Sequence, residues 1–465
     1  MAAASSRTVR GFKRWMKSNG VECSDAILLV SSDDGDSVDS SRSFSIYVKA
    51  LCDLKEGDVV ARIPKQSCLT VRTTAACGLI EEAQLVGNSG LAVAIMYELS
   101  LGARSKWFPY LQILPPFEDI PLLWPIKDID YLLSGTEIHQ AAREDKTLVY
   151  QDWKEYIKPL IDSASYELNS NFFTLEKYCA ARSLISSRSF QIDEYHGFGM
   201  VPLADLFNHK TAAENVHLTL DSDDAEGGME SVDDSDSFWT SRNESAFMEM
   251  IVVKGVKAGT EVFNTYGSVG TAALLLRYGF SEPDNPYDIV NVDLNLVIHW
   301  SSSLLTSRQS RKRLRLWRKL KQHSNHDTDY FEISHDGEPE AELMTLLHVM
   351  SLPEKEFDDL DHDAISAAEE AVRENLVFFP GGGNEKKSKT SKKPSSSLLR
   401  QAVGKALVSL ADAREDLYGW GSLDDDIRSL ERCCQVSEPK LYYSLLLRIS
   451  ERRIIQNLRS WAKGI

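Results

Sequence analysis

Cysteine is scarce in this sequence and never occurs in a spacing that binds metal. The seven cysteines among 465 residues include no Cys-x-x-Cys pair and no Cys/His arrangement suited to zinc, and their number is odd. This pattern fits a reducing compartment, so we predict free, buried thiols and no metal site. Long apolar runs are also missing. No stretch approaches the ~20 apolar residues that a membrane helix needs, which predicts a soluble chain.

Basic residues are outnumbered, and the formal net charge is -17. Two short stretches, 33–39 and 221–236, contribute twelve acidic residues and no basic one. The rest of the chain is close to neutral, so we expect no nucleic-acid ligand. The basic block 308–321 fits the solvated face of a helix whose Leu314, Trp317 and Leu320 turn inward. The alternative for this block is a nuclear-import or nucleic-acid patch.

The amino terminus is basic and contains no acidic residue before Glu22. Such a segment is compatible with a transit peptide. A helical pattern of apolar residues nevertheless begins almost at once, at Phe12, Trp15 and Met16. We therefore predict that the protein acts in the cytoplasm, the nucleus or both, and favour the chloroplast less.

The pattern along the chain changes between strand and helix. Residues 44–71 alternate and contain turn residues, which predicts strands, whereas 75–190 are mostly helical, with Val149, Trp153, Tyr156 and Leu160 at helical spacing. Strand and loop patterns return at 200–290, where a turn is predicted at Lys257-Ala258-Gly259-Thr260. Helical spacing dominates from about 300 onward. The fold class predicted from these patterns is α+β, a β-rich module interrupted by a helical insertion and followed by an all-α region.

Two segments have compositions that do not support a packed core. Residues 221–245 are rich in Asp, Ser and Gly and lie between two predicted strands, so we predict a disordered insertion in a hairpin. Residues 380–397 consist mainly of Pro, Gly, Ser and Lys, which is typical of a flexible loop.

A cluster of polar side chains ends the apolar run "MVPLADLFNH" at 200–209. Asp205, Asn208 and His209 together supply donors and acceptors, which suits recognition of an adenine edge or an amino-acid zwitterion. The alternative is a polar cap on a buried turn. Further along, Tyr266 follows a strand in "EVFNTYG", where it is either a functional hydroxyl or a core residue with a satisfied hydroxyl.

Taken together, these motifs resemble the carboxy-terminal half of a SET-domain methyltransferase. The order "DLFNH", "FNTYG" and "LLLRYGF" is similar to the branch typified by Rubisco large-subunit lysine methyltransferase. "SKWFPYLQILP" at 105–115 and "SSRSF" at 186–190 resemble further elements of that branch. The missing zinc spacings also agree, because this branch has a helical carboxy-terminal domain instead of cysteine-rich elements.

The resemblance implies a site as well as a fold. Tyr266 matches the catalytic tyrosine, and S-adenosyl-L-methionine is implied as the cofactor. Cofactor-binding positions match at Ser187, Arg188, Asn208, His209 and Tyr266. Substrate-binding positions match at Phe190, Asp205 and Tyr278. The implied activity is protein-lysine N-methylation of a non-histone protein by an enzyme that we expect to be a monomer.

The resemblance also divides the chain into four segments. Residues 1–72 hold an amino-terminal helix and the first strands, and 73–185 form the helical insertion. Residues 186–292 contain the catalytic motifs, and 293–465 form a helical substrate-binding domain.

One departure from the family keeps alternatives open. The branch has a Gly-x-Gly turn near the cofactor, where this chain has Ser45, Ile46 and Tyr47, and the nearest glycine is Gly35. Thr271 also stands where the family often has Asn. These changes suit a catalytically weak or inactive protein-binding scaffold. Histidine is an alternative acceptor, since a sister branch methylates it with similar motifs.

Overall fold

The computed structural model describes residues 2–31, 46–163, 168–220, 246–321, 329–362, 394–419 and 421–465. The chain divides into two compact units. The first comprises Met1–Pro125, Ala142–Ser268 and Leu275–Gly279, and the second comprises Ile126–Ala141, Val269–Leu274 and Phe280–Ile465.

The strands are short and pair only in the antiparallel sense. In chain order they are β1 (Glu22–Cys23), β2 (Ile27–Ser31), β3 (Ile46–Ala50), β4 (Val59–Pro64), β5 (Leu69–Thr70), β6 (Ser189–Asp193), β7 (Gly197–Met200), β8 (Val216–Leu220), β9 (Phe247–Val252), β10 (Val290–Asp293) and β11 (Tyr330–Ile333). The first unit contains a four-stranded sheet in the order β1-β4-β9-β8, a three-stranded sheet in the order β5-β7-β6, and the pair β2-β3. These strands come from both sides of the predicted helical insertion.

Helices account for most of the remaining described chain. They are α1 (Ala2–Ser18), α2 (Cys77–Glu82), α3 (Gly87–Leu101), α4 (Phe108–Leu111), α5 (Ile126–Leu132), α6 (His139–Asp152), α7 (Lys158–Ser163), α8 (Leu175–Arg188), α9 (Thr271–Tyr278), α10 (Leu294–Ser302), α11 (Ser307–Lys321), α12 (Ala341–Ser351), α13 (Glu354–His362), α14 (Pro394–Asp416), α15 (Leu423–Arg432) and α16 (Pro439–Lys463). The α+β class predicted from the sequence is confirmed.

The hairpin of β8 and β9 shows why alternation predicted strands here. Met248, Met250 and Val252 of β9 are buried while the residues between them are half-buried, so one face of the strand packs on the core. The predicted turn follows, with Gly259 at a φ of +84° and the Thr260 N–H donating to the Lys257 carbonyl at 3.2 Å. The acidic insertion predicted at 221–245 lies outside the described residues.

The helical face predicted between 149 and 160 is wrong at one position. Val149 and Leu160 are buried as expected, but Tyr156 is 51% exposed and Ile157 is buried instead. A π-helical turn at Trp153–Ile157 explains the difference. Because this turn contains more residues than an α-helical turn, it shifts the next residue onto the buried face.

The second unit is built mainly from helices that pack around two apolar clusters. Leu343, Leu347 and Met350 of α12 are all buried, as their spacing predicts. The basic block forms α11, in which Leu314 and Trp317 are buried and Leu320 packs against buried residues. The inward orientation predicted for these three residues is therefore confirmed. The region predicted as all-α is largely helical, but it also contains β11, which pairs antiparallel with β10 and buries Phe331 and Ile333.

Three further observations bear on the sequence-based predictions. All seven cysteines are free, but the prediction that they are buried is wrong, since only Cys68 is buried while Cys52 and Cys434 are exposed. Helix α14 begins at Pro394, so the last four residues of the loop predicted at 380–397 are helical and the others lie outside the described residues. None of the helices in the described ranges has the length and apolar content to span a bilayer.

Candidate active site

The two polar motifs meet through a backbone bridge. His209 and Asn264 form an isolated parallel bridge, and the Asn264 N–H donates to the Asn208 carbonyl at 2.9 Å. Asn264 is buried, and its side-chain oxygen accepts from the Thr265 N–H at 2.8 Å. The bridge therefore places the residues after the "DLFNH" run beside the residues that lead to Tyr266.

Two other rings stack against the ring of Tyr266. His209 stacks on it with 5.1 Å between ring centroids, and Tyr278 stacks on it at 4.5 Å. The Tyr266 N–H donates to His209 Nδ1 at 3.0 Å, and the Tyr266 hydroxyl donates to the Phe207 carbonyl at 3.4 Å. Tyr266 is thus held by stacking and by hydrogen bonds at both its backbone and its hydroxyl.

Burial raises the pKa of Tyr266 above its ordinary value, and the positive charge of Arg188 only partly offsets this rise. The hydroxyl is therefore protonated at neutral pH. A protonated phenol can donate a hydrogen bond and orient a partner, but it does not act as a base in this state.

Arg188 ends α8 and connects two other segments. Its Nε donates to Glu118 Oε1 at 2.6 Å, and its Nη1 donates to the main-chain carbonyl of Asp205 at 2.9 Å. Burial would lower the pKa of Arg188, but the charges of Glu118 and Asp205 outweigh burial and raise it. The guanidinium is therefore a permanent positive charge at this place.

Asp205 is a buried carboxyl with a single side-chain donor. The hydroxyl of Tyr110, which is fully buried, donates to Asp205 Oδ2 at 2.7 Å. No described residue donates to Asp205 Oδ1, which is also buried. Burial raises the pKa of Asp205 to about 6, against the lowering effects of Arg188 and the Tyr110 hydrogen bond.

The backbone before Asp205 is strained. Leu203 has a φ of +81° although it is not glycine, and it leads into the short 3-10 turn Ala204–Leu206. A branched residue in this region is an outlier that the surrounding structure must hold in place. Strain of this kind is concentrated at functional sites, and here it lies at the start of the predicted site.

Asn208 stands at the exposed edge of this group. Its side-chain amide donates to Glu261 Oε1 at 2.7 Å. Burial raises the pKa of Glu261, and the bond from Asn208 opposes the rise. The bond to Glu261 thus orients the amide of Asn208, which is an exposed residue.

The structure brings together most of the predicted site residues. His209, Tyr266 and Tyr278 form one stack, while Arg188 and Asp205 are joined by a hydrogen bond. Ser187 is half-buried beside Arg188, and Phe190 is half-buried on β6 and packs against the core. None of the ring contacts found among the described residues joins Phe190 to the Tyr266 stack.

Sequence reasoning missed two residues of this network, Tyr110 and Glu118. Tyr110 lies inside the motif "SKWFPYLQILP", so a signal for it was present in the sequence. Glu118 lies among the prolines that follow this motif, and no motif around it indicates a role in the site.

The departure from the family's glycine turn falls at the start of β3. Ile46 pairs with Ser31 and Tyr47 pairs with Val30 in a regular ladder. Ile46 is buried and Tyr47 is half-buried, so Tyr47 points to the face opposite the core. Ser45 and Gly35 lie outside the described residues.

The sequence of this chain is similar to those of known lysine methyltransferases. No protein-family model matches the chain. The chain is 25% identical over 391 residues to N-lysine methyltransferase SETD6 of Mus musculus, covering 80% of this chain and 76% of that protein. It is 23% identical over 334 residues to ribosomal lysine N-methyltransferase 3 of Saccharomyces cerevisiae, covering 53% of this chain and 58% of that protein.

Two solved structures resemble nearly the whole chain. The SET domain of LSMT bound to lysine and AdoHcy matches with a TM-score of 0.61 at 18% identity, covering 99% of this chain and 91% of that one. Rubisco LSMT bound to AdoMet matches with a TM-score of 0.62 at 17% identity, covering 98% and 92%. The chain has the SET fold of these structures, so the predicted resemblance is confirmed.

Proposed function

We propose that this chain is an S-adenosyl-L-methionine-dependent protein-lysine N-methyltransferase that acts on a non-histone protein. The observation that carries the proposal is the placement of Tyr266, whose ring stacks with those of His209 and Tyr278 and whose hydroxyl donates to the Phe207 carbonyl. The similar proteins from mouse and yeast are N-lysine methyltransferases, which supports the same reaction class.

The residues present fit such a cofactor in chemical terms. Asn208 offers an exposed amide that is oriented by Glu261, and a primary amide can accept from and donate to an adenine or amino-acid group. The stacked rings of Tyr266 and Tyr278 offer aromatic faces, which attract a sulfonium cation. We propose that Asn208 and His209 hold the cofactor, with Ser187 and Arg188 beside them. When bound, S-adenosyl-L-methionine supplies a methyl group activated by its positive sulfur.

The acceptor amine must lose its proton before it can react. A free lysine has a pKa of about 10.4, so nearly all of it is charged at neutral pH. Burial beside aromatic side chains and the like charge of a bound sulfonium would both disfavour the ammonium form. We propose that Tyr278 and Phe190 flank the acceptor, exclude water and so favour the neutral amine.

Tyr266 and the carbonyls near it then orient the acceptor. The protonated hydroxyl of Tyr266 is directed at the Phe207 carbonyl, and the Asp205 carbonyl is nearby in the same turn. Carbonyl oxygens accept hydrogen bonds from an amine and so direct its lone pair. Such positioning supplies much of the rate in a displacement that needs no metal or strong base.

The proposed enzyme acts on a protein acceptor, and we propose that residues 293–465 dock it. We further propose that the enzyme works as a monomer without nucleic acid, in the cytoplasm, the nucleus or both. The free cysteines are compatible with a reducing compartment. Light scattering of the purified protein checks the monomeric state, and imaging of a tagged chain checks the compartment.

Methyl transfer tests the proposed function directly. The purified chain is incubated with methyl-labelled cofactor and a cell extract, and labelled proteins are digested and analysed by mass spectrometry. The expected product is N-methyl-lysine in a non-histone protein. A methyl label found on histidine would show that the acceptor is histidine instead of lysine. Absence of both transfer and cofactor binding by calorimetry would leave the chain as a binding scaffold.

A further inference from the structure

The helical insertion contributes two side chains to the predicted catalytic stretch. Tyr110 reaches Asp205, which is 95 residues away in sequence, and Glu118 reaches Arg188, which is 70 residues away. Neither Tyr110 nor Glu118 was among the predicted site residues. Their contacts therefore raise the question of what the insertion does for the site.

Glu118 is fixed at its backbone as well as at its side chain. Its main-chain N–H donates to Ser183 Oγ at 3.0 Å, and Ser183 is fully buried in α8. Its carboxylate bonds Arg188, which ends the same helix, and both side chains are less than one-fifth exposed. A half-buried, charge-assisted bond anchored in this way restricts the guanidinium to one orientation.

The oriented guanidinium holds the strained turn. Arg188 Nη1 donates to the Asp205 carbonyl at 2.9 Å, while Tyr110 holds the side chain of the same residue. Asp205 lies two residues after the strained Leu203 and two residues before Phe207, whose carbonyl receives the Tyr266 hydroxyl. The insertion is thus connected to the Tyr266 hydroxyl through a short, continuous stretch of chain.

A third contact joins the same loop to Gly279, the residue after Tyr278. Gly279 has a φ of +81°, and a Cβ placed on it would lie 2.9 Å from the Asp119 carbonyl oxygen. Asp119 follows Glu118, and Gly279 follows Tyr278, which stacks on Tyr266. The loop that carries Glu118 therefore bonds Arg188 and also packs against the backbone next to Tyr278.

We propose that Glu118 and Tyr110 are positioning residues for methyl transfer, acting through Arg188 and Asp205 to hold the turn on which the Tyr266 hydroxyl rests. The inference rests on the proposed function. Neither residue touches Tyr266, so each acts on the rate by fixing the geometry of the turn. A displaced turn moves the Phe207 carbonyl, and misplacement by ~1 Å is enough to cost ~100-fold in rate.

Glu118→Gln tests the first contact, because it removes the charge and keeps the shape. We expect kcat to fall by ~10- to 100-fold, with KM for the protein acceptor within about threefold of wild type. Glu118→Asp, which keeps a carboxylate, should recover part of the loss. The matched control is Asp152→Asn, which removes the charge that faces Arg182 at 2.9 Å on the same helix and should keep kcat. Equal kcat in wild type and Glu118→Gln would overturn the role of Glu118.

Tyr110→Phe tests the second contact and keeps the ring in the core. Removing the Tyr110 hydroxyl, which donates to Asp205, raises the pKa of that carboxyl. Its other charged and titratable neighbours include Arg188, Glu118, Cys68 and Tyr266. As the pH is lowered, Asp205 is protonated earlier in the variant than in wild type. The ratio of variant to wild-type kcat should therefore fall as the pH is lowered from about 8 to 6. Ionisation of the acceptor lysine affects both proteins equally and cancels in this ratio.

The matched control for this pH series is Tyr178→Phe. It removes the hydroxyl of another fully buried tyrosine of the insertion, which is bonded to Ser89 and Arg182 at 3.0 Å. Its ratio to wild type should stay constant with pH. A constant ratio for Tyr110→Phe as well would overturn the role of Tyr110, even if the variant is less stable.

Wild-type activity separates this inference from the proposed function. If the wild-type chain transfers no methyl group, the proposed function fails first. Suppose instead that wild type is active, that Glu118→Gln has the kcat of wild type, and that the Tyr110→Phe ratio does not change with pH. Then only the positioning role fails.

Discussion

The His209 Nδ1 atom accepts the backbone N–H of Tyr266 at 3.0 Å, while the two rings stack with 5.1 Å between centroids. Nδ1 must be unprotonated to accept, so the proton of the neutral ring is on Nε2, which lies 3.2 Å from Thr211 Oγ1. One side chain thus ties the polar run at 200–209 to the backbone of the predicted catalytic tyrosine.

His209→Ala should weaken cofactor binding and slow methyl transfer. The variant loses both the acceptor for the Tyr266 N–H and the stacked ring. We expect this loss to weaken binding by ~1–2 kcal/mol, which is about 5- to 30-fold in the dissociation constant. Calorimetric titration with S-adenosyl-L-methionine measures the effect. His217→Ala is the control, since His217 is exposed on the neighbouring strand β8. Unchanged affinity in His209→Ala would contradict the cofactor role.

Tyr266→Phe should abolish most of the activity and leave the fold intact. We expect kcat to fall by ~100-fold, because in the proposed mechanism the hydroxyl orients the acceptor. The bond to the Phe207 carbonyl is long, at 3.4 Å, so its loss should cost less than ~1 kcal/mol of unfolding free energy. Initial rates with labelled cofactor and thermal unfolding measure the two effects. A variant as active as wild type would show that Tyr266 is not the catalytic residue.

Asp205→Asn should change how the stability depends on pH. The folded pKa of Asp205 is about 6, above the ~3.9 of an unfolded aspartate. Because the folded pKa is raised, the protonated carboxyl contributes to the free energy of unfolding below about pH 4, and this contribution is lost as the pH rises through 6. Above that pH the ionised carboxylate lowers the free energy of unfolding by ~3 kcal/mol.

Urea unfolding of wild type and Asp205→Asn at several pH values between 4 and 7 measures this dependence. Relative to the variant, wild type should lose stability across this range, because Asn does not titrate. A difference between the two proteins that stays constant from pH 4 to 7 would contradict the raised pKa.

Gly279→Ala should destabilise the fold and lower kcat. The left-handed backbone costs an alanine ~1 kcal/mol, and the contact of the new Cβ with the Asp119 carbonyl adds ~1–3 kcal/mol. Gly259→Ala is the matched control, because Gly259 has a similar φ of +84° and nothing within 4 Å of an added Cβ. Chemical unfolding should therefore show a larger loss for Gly279→Ala. Equal losses would mean that the Asp119 contact does not constrain this position.

Several elements could be predicted because local patterns report burial. The alternation in β9 follows its buried face, and the spacing of Leu314 and Trp317 follows the buried side of α11. Tyr156 shows the limit of this reasoning. The periodicity of an α-helix assigns it to the core, but a π-helical turn places Ile157 there instead, and packing around the helix decides such a turn.

Short-range periodicity and recognisable motifs allow the fold class, many of the strand and helix segments and the candidate site residues to be predicted from the sequence. Which distant residues come into contact is set by the folded chain. Tyr110 and Asp205 are 95 residues apart, and Glu118 and Arg188 are 70 apart. No local pattern encodes these pairs, because contacts between distant segments arise only when packed elements bring them together. The raised pKa of Asp205 has the same origin, since burial causes it and burial is a property of the folded chain.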